Sequence, residues 1–179
     1  MRNIIVVPYD PGWVQAFEQI RCELEQALGG LALAIEHVGS TAVPGLSAKP
    51  IIDIDVVIEK EMFNKVEELL NTIGYDHEGD LGIEGREVFT YRDKPHLMEH
   101  HLYVCDKGAD ELKRHLALRD FLRGNQEYRE KYGRIKIEMA EKYPHDIDSY
   151  IDGKQPVILE IYDKCDLDTT YKRLLKDLH

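Results

Sequence analysis

The chain is short of cysteine, of long apolar runs and of positive charge. Its three cysteines, Cys22, Cys105 and Cys165, are odd in number and widely spaced, which argues against a disulfide framework. No apolar stretch approaches the length that crosses a bilayer, and the first residues lack the apolar core and cleavage site of a signal peptide. These absences predict a cytoplasmic protein without a membrane partner.

Basic residues are outnumbered: the chain has 23 Lys and Arg against 34 Asp and Glu, and its net charge is −11. Such a surface repels nucleic-acid backbones, so we expect no long nucleic acid as a partner. A small anionic ligand is still compatible with this surface where a metal ion, Lys or Arg meets its charge locally. The 179 residues, 43% of them hydrophobic, suit a single domain with a substantial core.

The spacing of apolar residues predicts an N-terminal part of strands and helices and a C-terminal part of helices alone. Strands are expected at 4–7, 34–38, 51–58, 87–92 and 98–105, and helices at 11–28 and 61–73. Beyond Gly108 only helices are expected, at 112–122, at 128–139 and over most of 157–178. We therefore predict one domain over 1–179, with an α/β core at 1–106 and a helical part at 107–179.

Two aspartates in the most apolar strand are the main functional signal. Asp53 and Asp55 lie two residues apart in a β-branched run, so a strand directs both carboxylates to one face. Adjacent carboxylates repel unless a cation lies between them, and Mg²⁺, the usual cation, typically brings phosphates. Upstream, Gly39 and Ser40 predict a tight turn whose N–H groups and hydroxyl suit phosphate binding. The alternative is a surface strand with two solvated aspartates.

The Gly-Ser turn and the Asp-x-Asp strand together resemble the layout of the DNA polymerase beta-like nucleotidyltransferases. Further segments extend the similarity to nearly the whole chain. These segments are 6–11 with Trp13, 36–46, 48–54, 100–102 and 118–123. Across them the sequence resembles the GrpB family, which has the nucleotidyltransferase fold. The resemblance implies an α+β fold with a nucleotidyltransferase-like mixed β-sheet, flanking helices and a helical C-terminal part. Relatives fused to dephospho-CoA kinase indicate nucleotide or coenzyme chemistry, although the family's activity and substrate are poorly defined.

Roles in nucleotide binding follow from this resemblance and from position along the chain. Asp53 and Asp55 would bind Mg²⁺ and take part in catalysis. Residues of the turn, and cations from other elements, would bind the nucleotide phosphates. The predicted phosphate-binding residues are Gly39, Ser40, Thr41, Lys49 and Arg119, with Arg86, Arg92 and Lys136 as further cationic candidates.

A third catalytic position is left open by the sequence. Enzymes of this fold usually carry a third acid on a neighbouring strand, where it binds metal or activates the attacking hydroxyl. In the strand at 98–105, alternation places Glu99, His101 and Tyr103 on one face. Either Glu99 is the third acid or His101 replaces it as a base or ligand, and the resemblance slightly favours His101. GrpB-like sequences favour histidine where this chain has Tyr103, which argues against a histidine-rich metal site.

The leading hypothesis is a Mg²⁺-dependent nucleotidyltransferase that moves a nucleotidyl group from a nucleoside triphosphate to a small-molecule or protein acceptor. One alternative is a non-catalytic nucleotide- or coenzyme-binding module of the same fold. Another is hydrolysis or phosphoryl transfer at the same metal site. The nucleotide, the acceptor and the oligomeric state are not predicted by the sequence.

Overall fold

The computed structural model describes residues 3–165, which form a five-stranded mixed sheet with helices packed on both faces. The sheet order is β1-β2-β5-β4-β3, and only the β2–β5 pair is parallel. The predicted α+β fold class is confirmed. The strands are β1 Ala34–Val38, β2 Ile52–Ile58, β3 Tyr75–Gly79, β4 Arg86–Tyr91 and β5 His100–Asp106, and the helices are α1 Gly12–Leu28, α2 Phe63–Thr72, α3 Asp110–Gly124, α4 Gln126–Lys142 and α5 Ile147–Lys164.

Strand β2 divides the structure into two faces because its side chains alternate strictly. Ile52, Ile54 and Val56 are fully buried in the main core, together with the apolar sides of α1 and α2. Asp53, Asp55 and Val57 take the opposite face, where Val57 packs with Cys105 and with Ala109 and Leu112 at the start of α3. The two aspartates therefore lie beneath the C-terminal helices.

Helix α1 begins and faces the core as its sequence predicts. Asp10 Oδ1 accepts a hydrogen bond from the Gly12 N–H at 2.8 Å, which satisfies one free donor of the first turn. The apolar residues recur at intervals of three and four, so that one stripe of the helix enters the core. All five members of this stripe are buried, namely Trp13, Phe17, Ile20, Leu24 and Leu28.

The helical C-terminal part packs on the loop that follows the Gly-Ser turn. A second apolar cluster joins Val43 and Leu46 of this loop to buried residues of the three helices, which are Leu122, Tyr128, Tyr132, Val157 and Ile161. The helices thereby close over the face that carries the aspartates. The boundary at residue 106 within a single domain stays a prediction. No helix within residues 3–165 is both long enough and apolar enough to span a bilayer.

Three local predictions differ from the structure. The strand predicted at 4–7 is wrong, since only an isolated bridge between Val7 and Ala48 forms there, and Pro8 has no N–H to continue the pairing. Strand β3 was not predicted because its sequence, Tyr-Asp-His-Glu-Gly, lacks apolar alternation. Helix α5 begins ten residues before the predicted helix at 157–178, at an N-terminus capped by Asp146, and residues 166–178 lie outside the described residues.

Truncation of the β2 core provides a stability test of this packing. Ile54 of β2 is fully buried where the sheet packs against helices. Ile54→Ala leaves a cavity there and is expected to lower the free energy of unfolding by about 2–5 kcal/mol. Urea denaturation measures the change. Leu33→Ala is the control, because Leu33 is 52% exposed and should lose far less. Equal losses in the two variants would contradict the assigned faces of β2.

Candidate active site

The two aspartates differ in exposure although they share a face. In the register of the sheet, Asp53 is opposite His101 of β5, and Asp55 is opposite Tyr103. The Asp53 side chain is 29% exposed, whereas the Asp55 side chain is fully buried. A fully buried Asp55 excludes the alternative of two solvated aspartates on a surface strand.

The Gly-Ser turn lies directly against Asp53. Gly39 has φ +72° and ψ −171°, a conformation that only glycine adopts easily. A Cβ added at Gly39 would overlap Asp53 Oδ2 and lie 3.0 Å from the Asp53 Cβ. The following residues, Ser40–Ala42, form a short 3₁₀ turn, and Ser40 lies close to the side chain of Tyr132 in α4. The absence of a side chain at residue 39 is therefore what allows the turn to reach the carboxylate.

Thr41 occupies a structural position within this turn. Its hydroxyl lies 2.9 Å from His37 Nε2 and donates to the Ile51 carbonyl at 3.3 Å. The side chain is 2% exposed. These contacts tie the turn to β1 and to the segment before β2, and they leave the predicted phosphate contact of Thr41 to its backbone N–H.

His101 is the β5 residue that contacts Asp53. Its Nδ1 lies 2.8 Å from Asp53 Oδ1. A carboxylate only accepts hydrogen bonds, so Nδ1 is the donor, and in a neutral imidazole the lone pair is then on Nε2. Glu99 precedes β5 and lines a cavity of about 450 Å³ together with His101 and Lys49. Of the two candidates for the third position, the structure pairs His101 with the aspartate.

Asp55 is held in a buried ionic network that involves α3. Its Oδ2 accepts from His115 Nδ1 at 2.7 Å, and His115 Nε2 lies 3.0 Å from Glu111 Oε1. Burial lowers the pKa of His115, but the hydrogen bonds to Asp55 and Glu111 outweigh it and raise the pKa to about 9. Burial raises the pKa of Asp55, and the His115 bond opposes that rise. The imidazolium of His115 is the internal counter-ion of Asp55.

Sequence reasoning missed His115 and Glu111. They lie four residues apart on α3, which places both on one side of the helix, but a Glu-x-x-x-His spacing is common on solvated helices. Only the packing of α3 over β2 brings the pair to Asp55. The other Asp55 oxygen, Oδ1, is buried without a hydrogen-bond partner among residues 3–165.

Three lysines surround the Asp53 end of the site, two of them from the C-terminal helices. Lys136 is 2% exposed, and its Nζ has no hydrogen-bond partner in the described part of the chain. Burial and the neighbouring cations Lys154 and Lys49 hold the pKa of Lys136 well below its usual value, while Asp53 opposes the shift. Burial, then Lys49, lower the pKa of Lys154 to about 8. These three residues, Lys49, Lys136 and Lys154, form a lysine cluster that interacts electrostatically with Asp53.

Two tyrosine rings support the lysine cluster. The Lys136 Nζ lies 4.6 Å from the centre of the Tyr132 ring, and the Lys154 Nζ lies 4.2 Å from that of Tyr150. Lys49 Nζ lies 5.7 Å from the same Tyr150 ring. Cation–π contacts of this kind stabilise an ammonium group without neutralising it. A bound anion would favour the charged forms further, against the burial that lowers the pKa values of Lys136 and Lys154.

Arg119, a predicted phosphate ligand, is engaged elsewhere in this structure. Its guanidinium donates to Glu36 Oε2 at 2.6 Å, to the His37 carbonyl at 3.1 Å and to Asp120 Oδ1 at 2.8 Å. Arg123, one turn later on α3, donates to the Ala42 carbonyl at 2.9 Å. These two arginines join α3 to β1 and to the Gly-Ser turn. The phosphate contact of Arg119 stays a prediction.

The protein side chains supply few ligands for a metal ion. Within residues 3–165, no three or more His, Cys, Asp and Glu side chains are grouped to hold one. Mg²⁺ commonly takes only one or two carboxylates from a protein and completes its shell with phosphate oxygens and water. The unpartnered Oδ1 of Asp55, beside Asp53, is a donor set of that kind.

Comparison with known proteins decides the family. A family model described as GrpB protein matches residues 3–164. The chain belongs to the GrpB family. The glutamate-rich protein GrpB of Alkalihalophilus pseudofirmus is 36% identical over 165 residues, covering 89% of this chain and 94% of that protein. The crystal structure of GrpB from Enterococcus faecalis matches with a TM-score of 0.79 at 37% identity, covering 90% of this chain and 96% of that one. The predicted resemblance is confirmed.

Other relatives are longer than this chain. YqkA of Bacillus subtilis is 31% identical over 154 residues, which cover 86% of this chain but 44% of YqkA. A dephospho-CoA kinase of Mycolicibacterium paratuberculosis is 27% identical over 183 residues, covering 88% of this chain and 44% of the kinase. In both proteins the GrpB-like segment is therefore less than half of the molecule.

The fold extends to distant nucleotidyltransferases. Cid1, solved in complex with its short product ApU, matches with a TM-score of 0.52 at 10% identity, covering 73% of this chain and 42% of Cid1. At this level of identity the likeness concerns the fold alone. The GrpB family chain thus has a nucleotidyltransferase-like fold, as its sequence predicts.

Gly39→Ala tests the close approach of the turn to Asp53. We expect it to lower the free energy of unfolding by the cost of the strained backbone, about 1–3 kcal/mol, plus the cost of displacing Asp53. Gly29→Ala is the matched control, because Gly29 also has positive φ (+54°) but nothing lies within 4 Å of an added Cβ. Urea denaturation of both variants isolates the contact with Asp53. A smaller loss for Gly39→Ala than for Gly29→Ala would rule the contact out.

His37 makes stability depend on pH below neutrality. Burial lowers the pKa of His37 from 6.5 to about 4, with Asp53 opposing the shift. Between these values the unfolded chain binds a proton that the folded chain does not, so stability falls as pH falls from 6.5 towards 4. From pH 7 to pH 5 the wild type should lose about 2 kcal/mol more than His37→Gln in urea denaturation. His145→Gln, at an exposed histidine, should behave as the wild type; identical losses in all three proteins would exclude His37 as the cause.

Proposed function

We propose that this GrpB family protein is a Mg²⁺-dependent nucleotidyltransferase that moves a nucleotidyl group from a nucleoside triphosphate to a small-molecule or protein acceptor. One observation carries the proposal: Asp53 lies between the Gly39 turn and His101, with Asp55 on the same face. The proposed phosphate-binding turn and the imidazole of His101 thereby lie against the same carboxylate, that of Asp53. A cytoplasmic location, where nucleoside triphosphates and Mg²⁺ are abundant, is part of the proposal.

The lysine cluster supports a polyphosphate as the ligand. An ammonium group as deeply buried as that of Lys136 is costly unless an anion pairs with it. Together with the half-buried Lys49 and Lys154, this group matches the charge of a triphosphate tail better than that of a monoanion. In this arrangement the backbone N–H groups at Ser40 and Thr41 bind one end of the tail, and the lysines neutralise it.

The carboxylates supply the metal-binding part of the site. Asp53 and the unpartnered Oδ1 of Asp55 would hold Mg²⁺, and His115 would keep Asp55 oriented through its other oxygen. When bound, the ion would neutralise charge on the phosphates during transfer. Triphosphate oxygens and water would complete its coordination.

His101 is suited to accept the proton of the acceptor. Since Nδ1 donates to Asp53, Nε2 of the neutral ring accepts the proton as the acceptor hydroxyl attacks. The acceptor oxygen forms a bond to the α-phosphorus, the bond from that phosphorus to the bridging oxygen breaks, and pyrophosphate leaves. The acidic surface, with net charge −11, favours a small-molecule or protein acceptor over a long nucleic acid.

A nucleotide-binding module without chemistry is the second candidate. Two observations favour it: the β5 residue opposite Asp53 is a histidine rather than a third acid, and Asp55 is paired with His115. Binding and transfer are separable by experiment. Pyrophosphate release in the presence of a panel of hydroxyl and amine acceptors would support transfer, whereas Mg²⁺-dependent binding without any release would support the module.

A thermal-shift titration tests the metal–phosphate site. We expect ATP, CTP, GTP or UTP with Mg²⁺ to raise the melting temperature of the wild type, and Asp53→Asn to abolish the Mg²⁺-dependent part of the shift. Asp93→Asn, at an exposed turn, is the control for loss of a negative charge. A nucleotide response that is indifferent to Asp53 would refute the metal site.

Lys136→Met separates stability from binding in the same assay. Removing a buried, unpartnered ammonium group should leave the ligand-free protein as stable as the wild type or more so, while the nucleotide-dependent shift is lost. Lys60→Met, at an exposed lysine, should keep the full shift. A Lys136→Met protein that retains the shift would remove Lys136 from the phosphate site.

A further inference from the structure

A cavity of about 450 Å³ lies beside the candidate active site, and Lys49 is the one lining residue that it shares with the triphosphate site described above. It is formed by four separate segments of the chain: residues 3–5, the loop 49–51, the start of β5, and the connection between α4 and α5. Its volume falls in the range of small-molecule sites. The walls are held in place because the Ile4 N–H donates to the Pro144 carbonyl at 2.9 Å.

The order of the sheet places this cavity on the acceptor side of Asp53. Strand β2 lies between β1, which leads into the Gly39 turn, and β5, which carries His101. Phosphates bound at the turn therefore approach Asp53 from the β1 side. The cavity includes Glu99 and His101, so it reaches the hydrogen-bond partner of Asp53 from the β5 side. A nucleophile that enters from the cavity meets the imidazole before it meets the phosphates.

The lining of the cavity is half apolar and half polar: five of its ten residues are isoleucine or proline, and Lys49, Glu99 and His101 are among the other five. Ile4, Ile51 and Ile147 contribute aliphatic walls, and Ile5 and Ile147 are unusually exposed for large apolar residues, at 58% and 44%. Exposed apolar side chains that line one concavity mark a ligand site more strongly than the same residues scattered singly. The charged lining residues, Lys49 and Glu99, have opposite signs. This balance favours a ligand without net charge.

We propose that this cavity binds the acceptor, and that the acceptor is a small alcohol without net charge whose hydroxyl is attached to a compact aliphatic or alicyclic body. The apolar body packs against the isoleucines, and the hydroxyl is directed to His101. The inference rests on the proposed function for its acceptor role. The protein acceptor is disfavoured, because a cavity of this size buries a small molecule rather than a folded surface.

Saturation-transfer NMR with a defined probe tests the cavity. The probe is cyclohexylmethanol, and glycerol is the hydroxyl-bearing molecule without an apolar body. We expect saturation transfer to the ring protons of cyclohexylmethanol in the wild type and none to glycerol. Ile5→Glu and Ile147→Glu should weaken probe binding by about tenfold or more, because each places a charge on the apolar wall.

Leu33→Glu is the matched control for these variants. Leu33 is 52% exposed, close to the 58% of Ile5, but it lies outside the cavity lining. It should bind the probe as the wild type does. Equal binding by Ile5→Glu and Leu33→Glu, or equal transfer to glycerol and cyclohexylmethanol, would overturn the proposal.

Two further measurements separate this proposal from the proposed function. Ile5→Glu should keep the Mg²⁺-nucleotide thermal shift of the wild type, because the donor binds on the other side of Asp53.

Displacement of the probe by adenosine or uridine, or loss of that shift in Ile5→Glu, would assign the cavity to the donor nucleoside and overturn the acceptor assignment. Failure of probe binding with an intact nucleotide shift would refute the cavity proposal alone. Probe binding in a protein without any nucleotide shift would refute the proposed function, and with it the acceptor role.

Discussion

The contact between Gly39 and Asp53 is the constraint on which the rest of the site depends. A turn without a side chain allows β1 to end against the carboxylate, and the carboxylate then accepts from His101 on the other side. Because the strands β1, β2 and β5 are consecutive in the sheet, these three groups are fixed by backbone hydrogen bonds rather than by flexible loops. The geometry of the site is therefore as rigid as the centre of the sheet.

Buried charge is the second organising feature, and it is distributed unevenly. Beneath α3 the two carboxylates of Asp55 and Glu111 are paired with two cationic side chains, His115 and Arg114. The lysine cluster near Asp53 differs, because burial, together with neighbouring cations, lowers the pKa values of Lys136 and Lys154. A balanced network fixes structure, whereas an unbalanced one is costly until an anion binds. The contrast distinguishes the supporting part of the site from the part that meets the ligand.

The sequence predicted the central elements because their signals are local. Alternation in β2 fixed which side chains face the core, and the apolar stripe of α1 fixed its position against them. The network around Asp55 was missed because His115 lies 60 residues away in the chain, on a helix with no motif of its own. The burial of the Lys136 side chain was missed for a similar reason. One lysine on α4 is indistinguishable from a surface residue until α5 packs beside it.

The hydrogen bond between Ile4 and Pro144 has a consequence for how the molecule assembles. It joins positions that are separated by almost the whole described chain, so it closes a very large loop and forms only when the sheet and α4 are already in place. The segment 3–5 is thus expected to be among the last parts of the described chain to reach its final contacts. Before this contact forms, Ile4 and Ile5 are not yet packed, and only three of the four segments that form the cavity beside His101 are in place. The docking of residues 3–5 beside Pro144 therefore completes the wall of the cavity of about 450 Å³.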